Sequence, residues 1–165
     1  MNNYLIVLLT ILFIGGCVQN SKDNTHKSGK SEDWRTGQVE YQGTTSFIRY
    51  NHALTSLPKS NYPQLIRISA KFKTENPNGF PSNSEASGLW KLEDLLDESL
   101  SKTNHAVFAG TITMPNKKHF IFYSPTSDSS KATVSSLIKS ITNYETEYSI
   151  QSDAEWNVFK GFYER

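Results

Sequence analysis

The sequence predicts an α+β fold, a ferredoxin-like two-layer sandwich of order β-α-β-β-α-β, with an extra N-terminal strand and a short C-terminal helix. Three observations carry this expectation. Leu65 to Lys73 alternates apolar Ile66, Ile68, Ala70 and Phe72 with polar Arg67, Ser69 and Lys71, the period of a strand with one buried face. Ser82-x-x-Glu85 then opens a segment in which Leu89, Leu92, Leu96 and Leu100 recur at spacings of three and four, the stripe of an amphipathic helix behind a capping box. After it, segments of strand and helix character follow in the order strand, strand, helix, strand. Two right-handed crossovers joined by a hairpin satisfy that order with both helices on one face.

The chain opens with an apolar run from Tyr4 to Phe13 that ends in Ile14-Gly15-Gly16-Cys17. A helix needs about 20 apolar residues to cross a bilayer, so this run is too short for a permanent span and fits the apolar region of an export signal. Ile14 to Cys17 resembles the lipobox of bacterial lipoproteins. That resemblance implies cleavage between Gly16 and Cys17, a diacylglyceryl thioether on the cysteine and an amide-linked acyl chain such as palmitate. A plain signal peptide or a short buried helix is the other reading of the run. The expected organisation is a signal over 1–16, a lipidated cysteine and flexible tether over 17–33, and one α+β domain over 34–165. The tether expectation rests on Val18 to Asp33, where Asn, Ser, Lys, Gly and Asp leave almost nothing to bury against the cost of ordering.

Trp34 and Tyr41 are the first core anchors, and Thr44 to Asn51 reads as a strand rich in β-branched and aromatic residues. Ala53 to Pro63 carries two prolines and reads as a loop, and Asn76-Pro77-Asn78-Gly79 as a turn. Beyond the leucine-striped helix, Ala106–Met114 and His119–Tyr123 are expected as strands joined by a turn at Pro115-Asn116-Lys117-Lys118. Ser130–Thr142 is expected as a helix with Val134, Leu137, Ile138 and Ile141 on one side. Tyr144–Gln151 follows as a strand with Tyr148 and Ile150 inward and Glu145, Glu147 and Ser149 outward. Asp153 caps a last segment carrying Trp156, Phe159, Phe162 and Tyr163.

In this topology the first and last strands of the repeated unit are neighbours, which sets Arg67 and Lys71 beside Glu145 and Glu147. Such a face neutralises itself, at about 0.2–1 kcal/mol for each cross-strand pair. It is also the one candidate binding face legible in the sequence, with His119 as its fifth residue.

The chain resembles a bacterial family of unknown function, DUF695, through Pro81-Ser82-x-x-Glu85, Leu89-x-x-Leu92-Glu93-Asp94-x-Leu96, Phe108-x-Gly110-x-Ile112-Thr113, Phe120-x-Phe122-Tyr123 and Asp153-x-x-Trp156. The resemblance covers about Trp34 to Tyr163. It brings no catalytic residues. In some proteins such a domain accompanies one similar to a cytoplasmic regulator of ribonuclease activity, which implies protein binding; an exported lipoprotein would not meet that enzyme.

The remaining chemistry narrows the classes. A net charge of +1 gives no field for nucleic acid. The single cysteine permits no internal disulfide and is assigned to the anchor. His52, His105 and His119 lie far apart without a ligand-spaced pair, and the glycines form no phosphate loop. The reading is therefore a membrane-anchored envelope lipoprotein, at the outer membrane if the cell has one, whose domain binds a protein partner without cofactor, metal or catalysis. An envelope enzyme of hydrolase type, its site assembled only in three dimensions around His105 or His119, is the alternative.

Overall fold

The computed structural model describes residues 33–41 and 43–164, within one compact unit, Ser31–Arg165. The expected signal, the Gly16–Cys17 cleavage point, lipidated Cys17 and tether residues 17–32 lie outside the described residues. Among those described, no helix is long and apolar enough to cross a membrane.

Among the described residues the fold is α+β: one six-stranded antiparallel sheet and three helices. In chain order the elements are β1 (Trp34–Tyr41), β2 (Thr44–Asn51), two short 3₁₀ turns (His52–Ser56 and Lys59–Asn61), β3 (Gln64–Lys71), α1 (Asn83–Asn104), β4 (Val107–Met114), β5 (Lys117–Ser124), α2 (Asp128–Ser140), β6 (Glu145–Ser152) and α3 (Asn157–Lys160). The strands lie in the order β1-β2-β4-β5-β3-β6. β3 and β6 pair as the sequence predicts, with Arg67 opposite Ser149, Ser69 opposite Glu147 and Lys71 opposite Glu145.

Local chemistry accounts for most boundaries. Ser82 Oγ accepts the Glu85 backbone N–H at 3.3 Å and starts α1. Leu89, Leu92, Leu96 and Leu100 are buried, and with Val134 of α2 they meet Ile66, Ile68, Ala70, Phe120 and Phe122 of the sheet. Both helices thus cover one face. The other face is covered by Leu54 from the first 3₁₀ turn and by Trp156, Phe159 and Phe162 from the C-terminal segment, packed on Tyr50, Leu65, Ile121 and Tyr123.

Three expectations are corrected. Trp34–Tyr41, expected only to supply core anchors, is a strand hydrogen-bonded to β2, and Gly43 ahead of β2 has φ 73°. The β4–β5 turn is Pro115-Asn116 alone, because Asn116 takes a left-handed φ of 59° and closes it. Lys117 and Lys118 therefore open β5 instead of sitting in the turn. Tyr148 shares its face with Ile150 but stays exposed, since β6 is the sheet edge beside α2.

One irregularity positions the site. β4 slips register between Phe108 and Gly110, a bulge that inserts Ala109 and reverses the alternation beyond it. Val107, Ala109 and Ile112 enter the core under the C-terminal segment, while Phe108 joins the helix-side core. Gly110 has φ 155°, and a Cβ there would stand 2.9 Å from Tyr50 Cα and closer still to the Arg49 carbonyl oxygen. Only glycine lets β2 approach β4 so closely.

Candidate functional site

A sheet of six strands spaced about 4.8 Å apart is some 24 Å from first axis to last, whereas two packed helices cover about 20 Å. Here α1 and α2 lie over the later four strands, so the helix-side face of β1 and β2 has no helix above it. The result is an open groove of about 450 Å³ lined by Thr36, Gln38, Phe47, Arg49, Thr111, Thr113, Trp90 and Lys118. The strands form its floor, and Trp90 from α1 forms its wall. Trp90 is 55% exposed and Phe47 48% exposed, two of the few large apolar side chains left in water among the described residues. Phe47 keeps its position by an edge contact with Phe80, centroids 4.9 Å apart.

At the base of the groove three charges meet. Glu93 on α1 accepts from Arg49 Nη2 through Oε1 and from Lys118 Nζ at 2.9 Å through Oε2. The Glu93 and Lys118 side chains are only 7% and 8% exposed, so both ions are largely removed from water. Burial pushes the Lys118 ammonium down, and Glu93 opposes that shift. The Arg49 guanidinium lies 4.0 Å from the Trp34 ring centroid and 5.2 Å from that of Trp90. Aromatic faces on a desolvated cation supply attraction that water would otherwise give. Glu93 stands in the string Leu92-Glu93-Asp94, among the other charges of α1, and nothing local marks it as buried. Lys118 sits in β5 and not in the longer turn that the sequence predicts. The available signal was the alternation of Lys118, Phe120 and Phe122, which puts the lysine on the helix side.

The five residues expected on the open face lie on the side of the sheet opposite the groove, but they do not all pair with one another. Lys71 pairs with Glu145, and Glu147 accepts from Lys117 across β3. These exposed pairs contribute about 0–1 kcal/mol each. Arg67 does not join them: it faces Ser149, and its Nε is buried without a hydrogen-bond partner among the described residues. The expected pairing of Arg67 with the glutamates fails because the register puts it one pair of residues up the strand.

His119 bonds Ser69, with Nδ1 and Oγ 2.7 Å apart, and Tyr41 packs edge-on at 5.9 Å. Burial first, then the charges of Lys117 and Arg67, push His119 down to about 4, with Glu147 opposing. Unfolded, the imidazole titrates near 6.5. Between those values the unfolded chain holds a proton that the folded chain does not, so acidification favours unfolding. His119 should therefore remove stability as pH falls from 6.5 to about 4, and His119→Asn should flatten that part of the profile in urea midpoints. An unaltered slope would assign the acid sensitivity to other groups.

His119 meets a hydroxyl and not a carboxylate, and neither it nor His105 lines the groove. Among the described residues no three of His, Cys, Asp and Glu are placed to hold a metal ion. The groove offers instead a cationic base, aromatic walls and hydroxyl and amide edges, which is the chemistry of recognition.

The model of a family described as a family of unknown function (DUF695) matches residues 32–163. No curated protein and no solved structure matches the chain.

Proposed function

Because the chain belongs to the family of unknown function DUF695, whose domain spans nearly all the described residues, we propose that it is a lipid-anchored envelope protein whose domain is a non-catalytic binding module. The groove beside Trp90 is its contact surface. One observation carries the reading: Trp90 and Phe47 stand exposed over a buried ion-pair triad that holds Arg49 in place. Burying such charges costs stability unless they are well paired, so a site of this kind needs a return beyond folding. Exposed aromatic residues beside a fixed arginine are the composition of interaction hot spots. Support for the anchor remains the Ile14-Gly15-Gly16-Cys17 string. The order β4-β5-β3-β6 supports reading the four-strand unit as ferredoxin-like, with β1 and β2 as its extension. The partner would be another envelope protein, and no nucleic acid is required.

The experiment places a photo-cross-linking side chain at Gln38, an exposed groove position, in intact cells. The full chain is expected in the membrane fraction and, on irradiation, in a discrete protein adduct that Trp90→Ala removes. Cys17→Ser is expected to move the chain to the soluble fraction. Retention of that variant in the membrane would sink the anchor, and adducts indifferent to Trp90 would sink the groove.

A further inference from the structure

We propose that the groove docks an extended acidic segment of the partner protein, a carboxylate pairing with Arg49 and Lys118 while a neighbouring apolar side chain lies between Trp90 and Phe47. This rests on the binding-module reading above and names the chemistry of its ligand.

The argument starts with charge. Glu93 uses both carboxylate oxygens, one for Arg49 and one for Lys118, so two cations share one anion. The base of the groove keeps a surplus positive charge under low-dielectric walls, and an incoming carboxylate would neutralise it. Geometry adds direction. Arg49 is flanked by the rings of Trp34 and Trp90 and gives Nη2 to Glu93, which leaves its remaining N–H groups for a second in-plane acceptor. A guanidinium edge matches a carboxylate with two parallel N–H donors. Size decides between a small acid and a peptide. A groove of about 450 Å³ running over open strands exceeds what a lone carboxylate would fill. Trp90, beside Arg49, and Phe47 are both about half exposed and would otherwise face water, so the occupant must be apolar beside its charge. An extended segment laid along the strands presents a charged and an apolar side chain within a few residues of each other.

The test uses the full chain in detergent, labelled with 5-fluorotryptophan at its three tryptophans. The probe is a blocked peptide of alternating glutamate and phenylalanine. Its fluorine spectrum is expected to shift at Trp90 and Trp34, saturably, while Trp156 under the opposite face stays still. Replacing each probe glutamate by glutamine should weaken binding about tenfold or more, as should Arg49→Gln, which leaves Lys118 and Glu93 paired one to one. Trp90→Ala, a change at an exposed position, should weaken it as well and provides the check if the arginine variant folds poorly. Equal binding of the glutamine peptide overturns the proposal, as does a spectrum in which Trp90 does not move. Benzoate matching the peptide in affinity overturns it in favour of a small-carboxylate site. Failure of the peptide alongside a persisting Gln38 adduct in cells rejects the acidic ligand and leaves the binding module standing.

Discussion

Glu93→Ala is expected to destabilise the folded chain by about 3–5 kcal/mol, the usual cost of removing one member of a buried ion pair. The substitution deletes the acceptor of both Arg49 and Lys118. Arg49 is partly exposed and can turn toward water. Lys118 cannot do so as readily, because its side chain is 8% exposed and lies against Phe120, 5.1 Å from the ring centroid. It must then stay charged without a partner or lose its proton, and burial already pushes it toward the second course. Adding Lys118→Met to Glu93→Leu should restore most of the loss, since a pair replaced by packed apolar side chains is often neutral or better. Urea denaturation of the single and double variants measures both. If Glu93→Ala costs less than about 1 kcal/mol, the triad behaves as a surface pair and the argument for a site held at a stability cost falls. The double variant has a second use, for it removes one cation and one anion together and leaves Arg49 as the single charge of the groove base.

The elements that the sequence made legible are those whose signals are local. The alternation of Ile66, Ile68 and Ala70, the serine cap at Ser82 and the leucine stripe each state their own structure, and each was found where expected. The adjacency of β3 and β6 was legible because a short list of rules governs how crossovers return to a sheet. β1 was not. Its residues Trp34, Thr36, Gln38 and Val39 carry little apolar alternation, since its helix-side face lines an open groove. A strand that buries only one face against a thin cover hides from hydrophobic periodicity. The site was concealed for a related reason. Arg49, Glu93 and Lys118 come from three elements, separated by 44 and 25 residues. Each looks like an ordinary surface charge until pairing of β2 with β4, through the closeness that Gly110 permits, brings them together. The charges that did announce themselves, on β3 and β6, turned out to be mostly exposed pairs. Proximity in a predicted sheet identifies neighbours; it does not say which of them are buried.

Trp156→Ala is expected to cost about 3–5 kcal/mol, the range for deleting a fully buried aromatic side chain. Trp156 is wholly buried and stacks on Tyr123, centroids 4.1 Å apart and planes 13° from parallel. Its indole N–H donates to the Tyr62 carbonyl at 2.9 Å, tying the C-terminal segment to the loop before β3. Its backbone has φ 56°, a left-handed position that costs a large side chain about 1–2 kcal/mol. That strain is held by Asp153, whose carboxylate accepts from the backbone of Asn157 and Val158 and from the Tyr123 hydroxyl at 2.7 Å. Burial and that carboxylate push the Tyr123 phenol up, so it remains a donor at any ordinary pH. Asp153 and Trp156 therefore act as one clasp, which gives the Asp-x-x-Trp string a structural purpose. Alanine retains the left-handed strain and loses the packing that compensates it. Loss of the clasp should open Phe159 and Phe162 together with it, so proteolysis or amide exchange should rise first across residues 153–164 while α1 stays protected. Uniform loss of protection would mean instead that the helix-free core cannot come apart from the rest. Trp156→Phe is the milder change, keeping a ring against Tyr123 while losing the bond to Tyr62 and part of the buried volume. A groove probe such as fluorotryptophan at Trp90 should stay unchanged in that milder variant, because the clasp and the groove lie on opposite faces of the sheet.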